Sequence, residues 1–187
     1  MQFNFTGASS TGKTTTLNML HTHLPDYEIK TNIIRDLVSK ENISLNEAGT
    51  RRGQELIFTA YFDSLILNKD KNYISDRCII DPLCYTLVKC NEGDIPWEVY
   101  DAQLDITKAL VSAGYLSKVF YFPISFPVVD DGVRSTDEIY RQKTDYNFHF
   151  ILDKLRYTYP NKFNYYSIVG TPEERVEQIL EISKYNK

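Results

Sequence analysis

The chain has 187 residues, of which 42% are hydrophobic and 25% charged, and its formal net charge is −4. These values are typical of one soluble globular domain, and the acidic balance disfavours a protein that coats nucleic acid. The three cysteines lack the C-x-x-C spacing of a zinc site, so we interpret them as reduced thiols in a cytoplasmic protein. No apolar run reaches the length of a membrane span, and we expect no membrane partner.

Short strand-like runs alternate with longer helical runs along the chain. Apolar runs of strand length predict strands at residues 2–6, 27–34, 72–75, 119–124 and 165–169. Longer periodic runs predict helices at residues 13–24, 44–69, 96–113, 136–157 and 172–184. This alternation predicts an α/β fold in which helices wrap a parallel five-stranded sheet. Because we find no linker or repeat, we expect a single domain over residues 1–187.

The first predicted strand leads directly into a glycine-rich loop, GASSTGKTT. The loop fits the phosphate-binding pattern G-x-x-x-x-G-K-[ST], and it lies between a strand and a helix, as that pattern requires. Its amides can point inward at the positive end of the helix dipole. We therefore predict contacts with a nucleoside triphosphate from Gly7, Ser9, Ser10, Thr11, Gly12, Lys13, Thr14 and Thr15.

Two residues of this loop have distinct predicted roles. Lys13, which we expect to be exposed on the loop, would neutralise the β- and γ-phosphates, and the Thr14 hydroxyl would ligate Mg²⁺. The loop alone does not distinguish a kinase from a GTPase, a motor or a helicase.

A second candidate site is the stretch YISDRCIID, in which Asp76 and Arg77 follow a predicted strand. In parallel sheets, ligands bind at the carboxyl ends of the strands. Asp76 could hold Mg²⁺ or accept the proton of an attacking hydroxyl, and Arg77 could grip an acceptor. The alternative is an ordinary ion pair at a strand end. Asp81, before Pro82, is a weaker candidate that also fits a helix cap.

The stretch DDGVRSTDEIYRQK carries Arg134 and Arg141 seven residues apart. On one helix, two turns would return both guanidinium groups to nearly the same face. Such a face would close over a triphosphate as a lid at residues 128–145, on a helix capped by Ser135 or Thr136. The alternative is a solvated helix with ion pairs between neighbouring turns.

A further group of polar side chains lies after the second predicted strand and at the start of the next helix. Each could contact a substrate or be ordinary surface, and the sequence leaves both readings open. These residues are Arg35, Arg51, Arg52 and Gln54.

Together these stretches resemble the NadR-like P-loop ATPase/kinase domains. That group also includes thymidylate kinases and phage deoxynucleoside monophosphate kinases. The resemblance rests on GASSTGKTT, on Asp76 and Arg77, on DDGVRSTDEIYR and on VGTPEERVEQIL, and it covers nearly the whole chain. It implies the P-loop kinase fold with a helical lid, and ATP and Mg²⁺ as cofactors. It also implies that Thr171 and Pro172 run past the adenine.

The resemblance implies a phosphotransferase that acts on a small acceptor, either a nucleoside or a (deoxy)nucleoside monophosphate. The proline- and glycine-rich acceptor loop of thymidylate kinases is not found after the second strand, which argues against thymidylate. Two alternatives stay open: a kinase of nucleic-acid 5′ ends or modified bases, and an NTP-dependent regulatory ATPase. The sequence also leaves a homodimer open.

Overall fold

The computed structural model describes residues 1–31, 33–45, 48–125, 127 and 137–184. The described strands are β1 (Gln2–Thr6), β2 (Glu28–Lys30), β3 (Tyr73–Ser75), β4 (Lys118–Tyr121) and β5 (Asn164–Ser167). The described helices are α1 (Lys13–His23), α2 (Ile33–Glu41), α3 (Arg51–Leu67), α4 (Ile80–Asn91), α5 (Trp97–Ser112), α6 (Glu138–Thr158) and α7 (Pro172–Lys184). The predicted α/β fold class is confirmed.

The five strands form one parallel sheet in the order β2-β3-β1-β4-β5. The first strand is central: Phe3 pairs with Ile74 on one side, and Phe5 pairs with Phe120 on the other. The chain builds β2 and β3 on one side of β1 before it crosses to build β4 and β5. In open parallel sheets, ligands bind at such a reversal of strand order, outside the carboxyl ends. The glycine-rich loop after β1 lies at this point.

Helices cover both faces of the sheet because the side chains of its strands alternate. Phe3 and Phe120 pack on one face with Leu17 of α1, and α7 covers the same face. On the opposite face, Val119 packs in a larger core with Leu83 of α4. Each such fully buried side chain contributes about 1.5–3 kcal/mol. Within the described ranges, no helix is both long and apolar enough to cross a membrane.

The sequence pattern misses two helices. The predicted strand over residues 27–34 is wrong beyond Lys30, because Ile33 begins α2. The adjacent β-branched Ile33 and Ile34 favour a strand, yet from the helix they pack partly buried against the core. Helix α4 buries 10 of its 12 residues, so it lacks the polar face that makes a helix visible as a periodic pattern.

Capping residues set two helix starts later than the sequence predicts. Helix α3 begins at Arg51 because the Thr50 hydroxyl accepts the Gly53 N–H at 3.2 Å. Helix α6 is capped by Asp137, whose Oδ1 accepts two backbone N–H groups at 2.8 and 3.0 Å. The predicted caps, residues 135 and 136, lie outside the described residues.

Candidate functional site

The loop between β1 and α1 turns through three residues with positive φ. These angles are 137° at Gly7, 55° at Ser10 and 86° at Gly12. Gly7 lies so close to the backbone carbonyl of Phe122 that a Cβ at this position would collide with its oxygen. Only glycine fits there, because it combines a positive φ with the absence of a side chain. Gly7 and Gly12 therefore allow the tight turn of the loop.

Two buried arginines from the last two helices hold the carbonyl groups of this loop. Arg141 of α6 donates from Nε to the Ser9 oxygen at 3.0 Å and from Nη2 to the Ser10 oxygen at 3.1 Å. Arg175 of α7 donates from Nη1 to the Thr11 oxygen at 2.8 Å. Since the C=O and N–H of one peptide point in opposite directions, fixing the carbonyls also fixes where the loop amides point. Oriented successive amides form an anion-binding nest.

Lys13 is buried, which corrects the expectation of an exposed loop lysine. Its Nζ donates to the carbonyl oxygens of Gly7 and Ala8 at 2.7 and 2.5 Å, and to the Thr11 hydroxyl at 3.1 Å. The ammonium group therefore lies within the curl of the loop. The next residue, Thr14, is exposed at the start of α1.

Two aspartates after β3 have different surroundings. Asp81 is buried: its Oδ2 accepts from the Thr6 hydroxyl at 2.8 Å and from the Cys78 N–H at 3.0 Å, and its Oδ1 accepts from Arg77 at 2.9 Å. Burial raises the pKa of Asp81, and the charges of Arg77 and the loop lysine oppose that rise. Asp76 is half-buried, and no hydrogen bond or ion pair to a described residue engages its carboxylate. Asp81 thus ties β1 to α4, whereas Asp76 is available to a ligand.

One continuous cavity of about 560 Å³ connects the phosphate loop with Asp76. Its volume falls within the range of about 300–1,000 Å³ that is typical of small-molecule sites. Residues 10–15 of the loop line it, and Ile57, Tyr61 and Tyr85 add apolar surface to its wall. Gln54 also lines the cavity, and its buried Oε1 has no hydrogen-bond partner among the described residues.

Residues 2–163 match the family model AAA_28, which is described as an AAA domain. The matched span includes the glycine-rich loop, the strand before Asp76 and all of α6. The chain belongs to the AAA_28 family. No curated protein sequence matches this AAA domain.

Solved structures of two small-molecule kinases and of NadR resemble this AAA domain. Deoxyadenosine kinase from M. mycoides with bound dATP shares 17% identity over 98% of this chain and 100% of that one, with a TM-score of 0.65. NadR in complex with NR shares 17% identity over 98% of this chain and 51% of that one, with a TM-score of 0.71. Shikimate kinase from Aquifex aeolicus shares 17% identity over 100% and 98%, with a TM-score of 0.54. The AAA domain spans about half of NadR, and the predicted NadR-like P-loop fold is confirmed.

The AAA domain brings only some of the predicted acceptor residues to the cavity. Arg35 and Gln54 line it, together with Asp76 and Arg77. The exposed Arg51 and Arg52 pair instead with glutamates, at 2.8 and 3.5 Å, and do not line it.

The turn that the resemblance places beside the adenine precedes α7. The Thr171 N–H donates to the Glu174 carboxylate at 2.7 Å, and the Glu174 N–H donates to the Thr171 hydroxyl at 3.3 Å. This reciprocal pair forms a capping box that fixes the start of the helix at Pro172. Neither Thr171 nor Pro172 lines the cavity, and their contact with adenine stays a prediction.

Of the two predicted lid arginines, the structure describes Arg141 but not Arg134. Arg134 lies outside the described residues, and α6 begins four residues after it at Glu138. Arg141 is on α6, where its Nη1 lies 3.2 Å from the Glu138 carboxylate while its other nitrogens bind the loop. A direct contact of either arginine with phosphate stays a prediction.

Proposed function

We propose that this AAA domain transfers the γ-phosphate of ATP to a hydroxyl of a small acceptor, with a nucleoside as the preferred class. The observation that carries the proposal is a single cavity whose lining combines the phosphate loop with apolar side chains and with Asp76 and Arg77. A regulatory ATPase needs the loop but has no need of the apolar lining.

The apolar part of the cavity lining suits a flat ring that carries a hydrogen-bond donor. Tyr61, Tyr85 and Ile57 offer apolar surface on which a ring can stack. The Gln54 Oε1 is buried without a partner among the described residues, and a ring N–H would satisfy it. A buried polar atom without a hydrogen bond costs about 1–3 kcal/mol, so a ligand that donates a hydrogen bond to this oxygen would bind more tightly.

The charges around the cavity favour a nucleoside over a nucleoside monophosphate. Arg77 is already paired with Asp81, and Arg35 is exposed at the rim. An acceptor phosphate would therefore depend on Arg35, whose charge is screened by solvent at this exposed position. Deoxyadenosine kinase with bound dATP and NadR in complex with NR point to the same chemical class.

The residues at the loop fit the chemistry of phosphoryl transfer. We assign the β- and γ-phosphates to the loop amides and to Lys13, which would neutralise charge on the transferring group. The acceptor oxygen bonds to the γ-phosphorus, the bond from that phosphorus to the bridging oxygen breaks, and the hydroxyl proton passes to Asp76. Lid closure by residues 128–145, with Arg134 and Arg141, would exclude water in this scheme.

Thr14 and Asp76 are the residues that would hold Mg²⁺. A hydroxyl and a carboxylate are oxygen ligands that this ion prefers, and it usually completes its shell with phosphate and water. Within the described ranges, no group of three His, Cys, Asp or Glu side chains forms a metal site by itself, so the nucleotide would supply further ligands. The ion would offset charge on the two terminal phosphates.

ADP release with a panel of acceptors tests the proposal. We expect nucleosides to stimulate release from ATP·Mg²⁺ more than monophosphates do. Stimulation by 5′-hydroxyl oligonucleotides alone would instead assign the 5′-end kinase. Slow hydrolysis that no acceptor accelerates would assign the regulatory ATPase and overturn the proposal.

We expect Arg141→Ala to lower kcat about 10- to 1,000-fold, because the loop amides lose their fixed orientation. The free energy of unfolding should fall by about 1–3 kcal/mol, since two buried carbonyls lose their donor. Arg141→Lys should recover only part of the activity, because an ammonium cannot hold both carbonyls as a planar fork does.

The control for Arg141 is Arg156→Ala, which removes an exposed arginine from the same helix, paired with Asp153 at 3.2 Å. This control should leave kcat unchanged. Steady-state kinetics and thermal melts of the three variants provide the comparison. A wild-type kcat in Arg141→Ala would show that the arginine does not contribute to catalysis.

A further inference from the structure

Four exposed apolar side chains form a stripe along α6. Ile139, Tyr146, Phe150 and Tyr157 are 68%, 72%, 47% and 90% exposed. Steps of seven, four and seven residues keep them on one narrow face, since two helical turns take about seven residues. The opposite face of the helix is buried around Phe148. Exposed apolar residues that are aligned on one face and rimmed by polar residues, rather than scattered singly, mark an interaction surface.

Two charged residues complete this α6 stripe. Lys143 and Asp153 occupy the heptad positions between the apolar side chains, and their side chains are 56% and 57% exposed. Lys143 lies 3.5 Å from a Glu92 oxygen, and Asp153 accepts from Arg156 at 3.2 Å and from the Tyr165 hydroxyl at 2.7 Å. An ammonium has three donors and a carboxylate about four acceptor sites, so each can bind a further partner.

The positions of the residues in the α6 stripe are symmetric about residue 148. Its members form three pairs, placed two, five and nine residues to either side: Tyr146 with Phe150, Lys143 with Asp153, and Ile139 with Tyr157. A second α6 running antiparallel about a two-fold axis would set ring against ring, lysine against aspartate and isoleucine against tyrosine. We propose that this stripe is the interface of an antiparallel homodimer of the chain.

The pairing argues for a second copy over an unrelated partner. A two-fold interface must be self-complementary, so residue i meets residue j and residue j meets residue i. A surface for another protein has no reason to carry opposite charges at mirrored positions. In the dimer, the pair of Lys143 with Asp153 of the other copy forms twice. Opposite charges at matched positions also set the direction and register of paired helices.

The length of the stripe determines the affinity that we expect for the dimer. Its apolar ends are 18 residues apart, which spans about 27 Å of helix. Stable interfaces bury about 1,200–2,000 Å² in total, and one helix pair lies towards the lower end of this range. We therefore expect a dissociation constant in the micromolar range. The inference does not rest on the proposed function, because the stripe is on the solvent side of α6.

Disulfide cross-linking tests the antiparallel register. In the double variant Ile139→Cys with Tyr157→Cys, residue 139 of one copy lies against residue 157 of the other. Mild oxidation should give a covalent dimer on a non-reducing gel. The native cysteines are buried, so wild type under the same oxidant is the control. The single variant Ile139→Cys should stay monomeric, because its two sulfurs would be about 27 Å apart. A covalent dimer of the single variant would indicate parallel helices and overturn the proposal.

A charge swap tests the polar pair in sedimentation velocity runs up to several hundred micromolar. Lys143→Asp and Asp153→Lys should each weaken the dimer at least 10-fold, because each sets like charges together at two places. The double swap should return the dissociation constant to within about 3-fold of wild type. Exchanging Asp105 and Lys108, a pair at 2.8 Å on α5, is the matched control and should change nothing. Monomeric wild type throughout this range, or a double swap no better than the single variants, would overturn the proposal.

Discussion

Replacement of Lys13 by alanine is expected to lower kcat more than about 100-fold. The ammonium lies within the curl of the loop, 2.7 Å from the Gly7 oxygen and 2.5 Å from the Ala8 oxygen. A bound triphosphate would offer it a stronger partner than these carbonyls. On the proposed assignment, the change would therefore remove the cation nearest to the transferring group.

The same variant tests whether the loop binds ATP at all. ATP should raise the melting temperature of the wild type, because a ligand that binds only the folded state stabilises it. This shift should be largely lost in Lys13→Ala. Because the lysine is buried, the unliganded variant should also lose a little stability, about 1 kcal/mol. Lys108→Ala, which removes a lysine from α5, should keep both activity and the ATP-induced shift. Normal turnover in Lys13→Ala would contradict the assignment of the ATP site to the phosphate loop.

The fold could be predicted from local pattern wherever one face of an element meets solvent. Helix α7, with its alternating apolar and charged faces, was predicted to the residue, Pro172–Lys184. Prediction failed for α4, because burial removes the contrast between an apolar and a polar face. It also failed at Ile33, because β-branched residues that favour a strand begin a helix there. The strand order could not be predicted, because it depends on which apolar faces pack together over long range.

The candidate site was predicted as far as its residues follow a known spacing. The glycine-rich loop and Asp76 come together at one cavity, as the positions of strand ends predict. Arg175 was missed, although Val176 and Ile179 beside it indicate that its side of α7 faces the core. No spacing rule links it to Thr11, a residue 164 positions away, which its side chain contacts. Such a contact exists only after α1 and α7 have packed together.

The last prediction separates the two aspartates after β3. Asp76→Asn should lower kcat about 100-fold or more, because it would remove the proposed base or metal ligand while keeping the shape of the side chain. Its melting temperature should stay near that of wild type, since no described residue bonds to that carboxylate.

Asp81→Asn should behave in the opposite way. It removes the charge that Arg77 meets at 2.9 Å in a buried position, so the main effect should be a lower melting temperature. Arg77→Ala should chiefly raise the acceptor KM if the guanidinium contacts the acceptor. Kinetics and melts of the three variants, measured together, decide the assignment. Asp76→Asn could keep the wild-type kcat while Asp81→Asn loses activity without losing stability. This result would assign the role of proton acceptor to Asp81. In that case the hydrogen bonds from Thr6 and Cys78 would have to rearrange when the substrates bind.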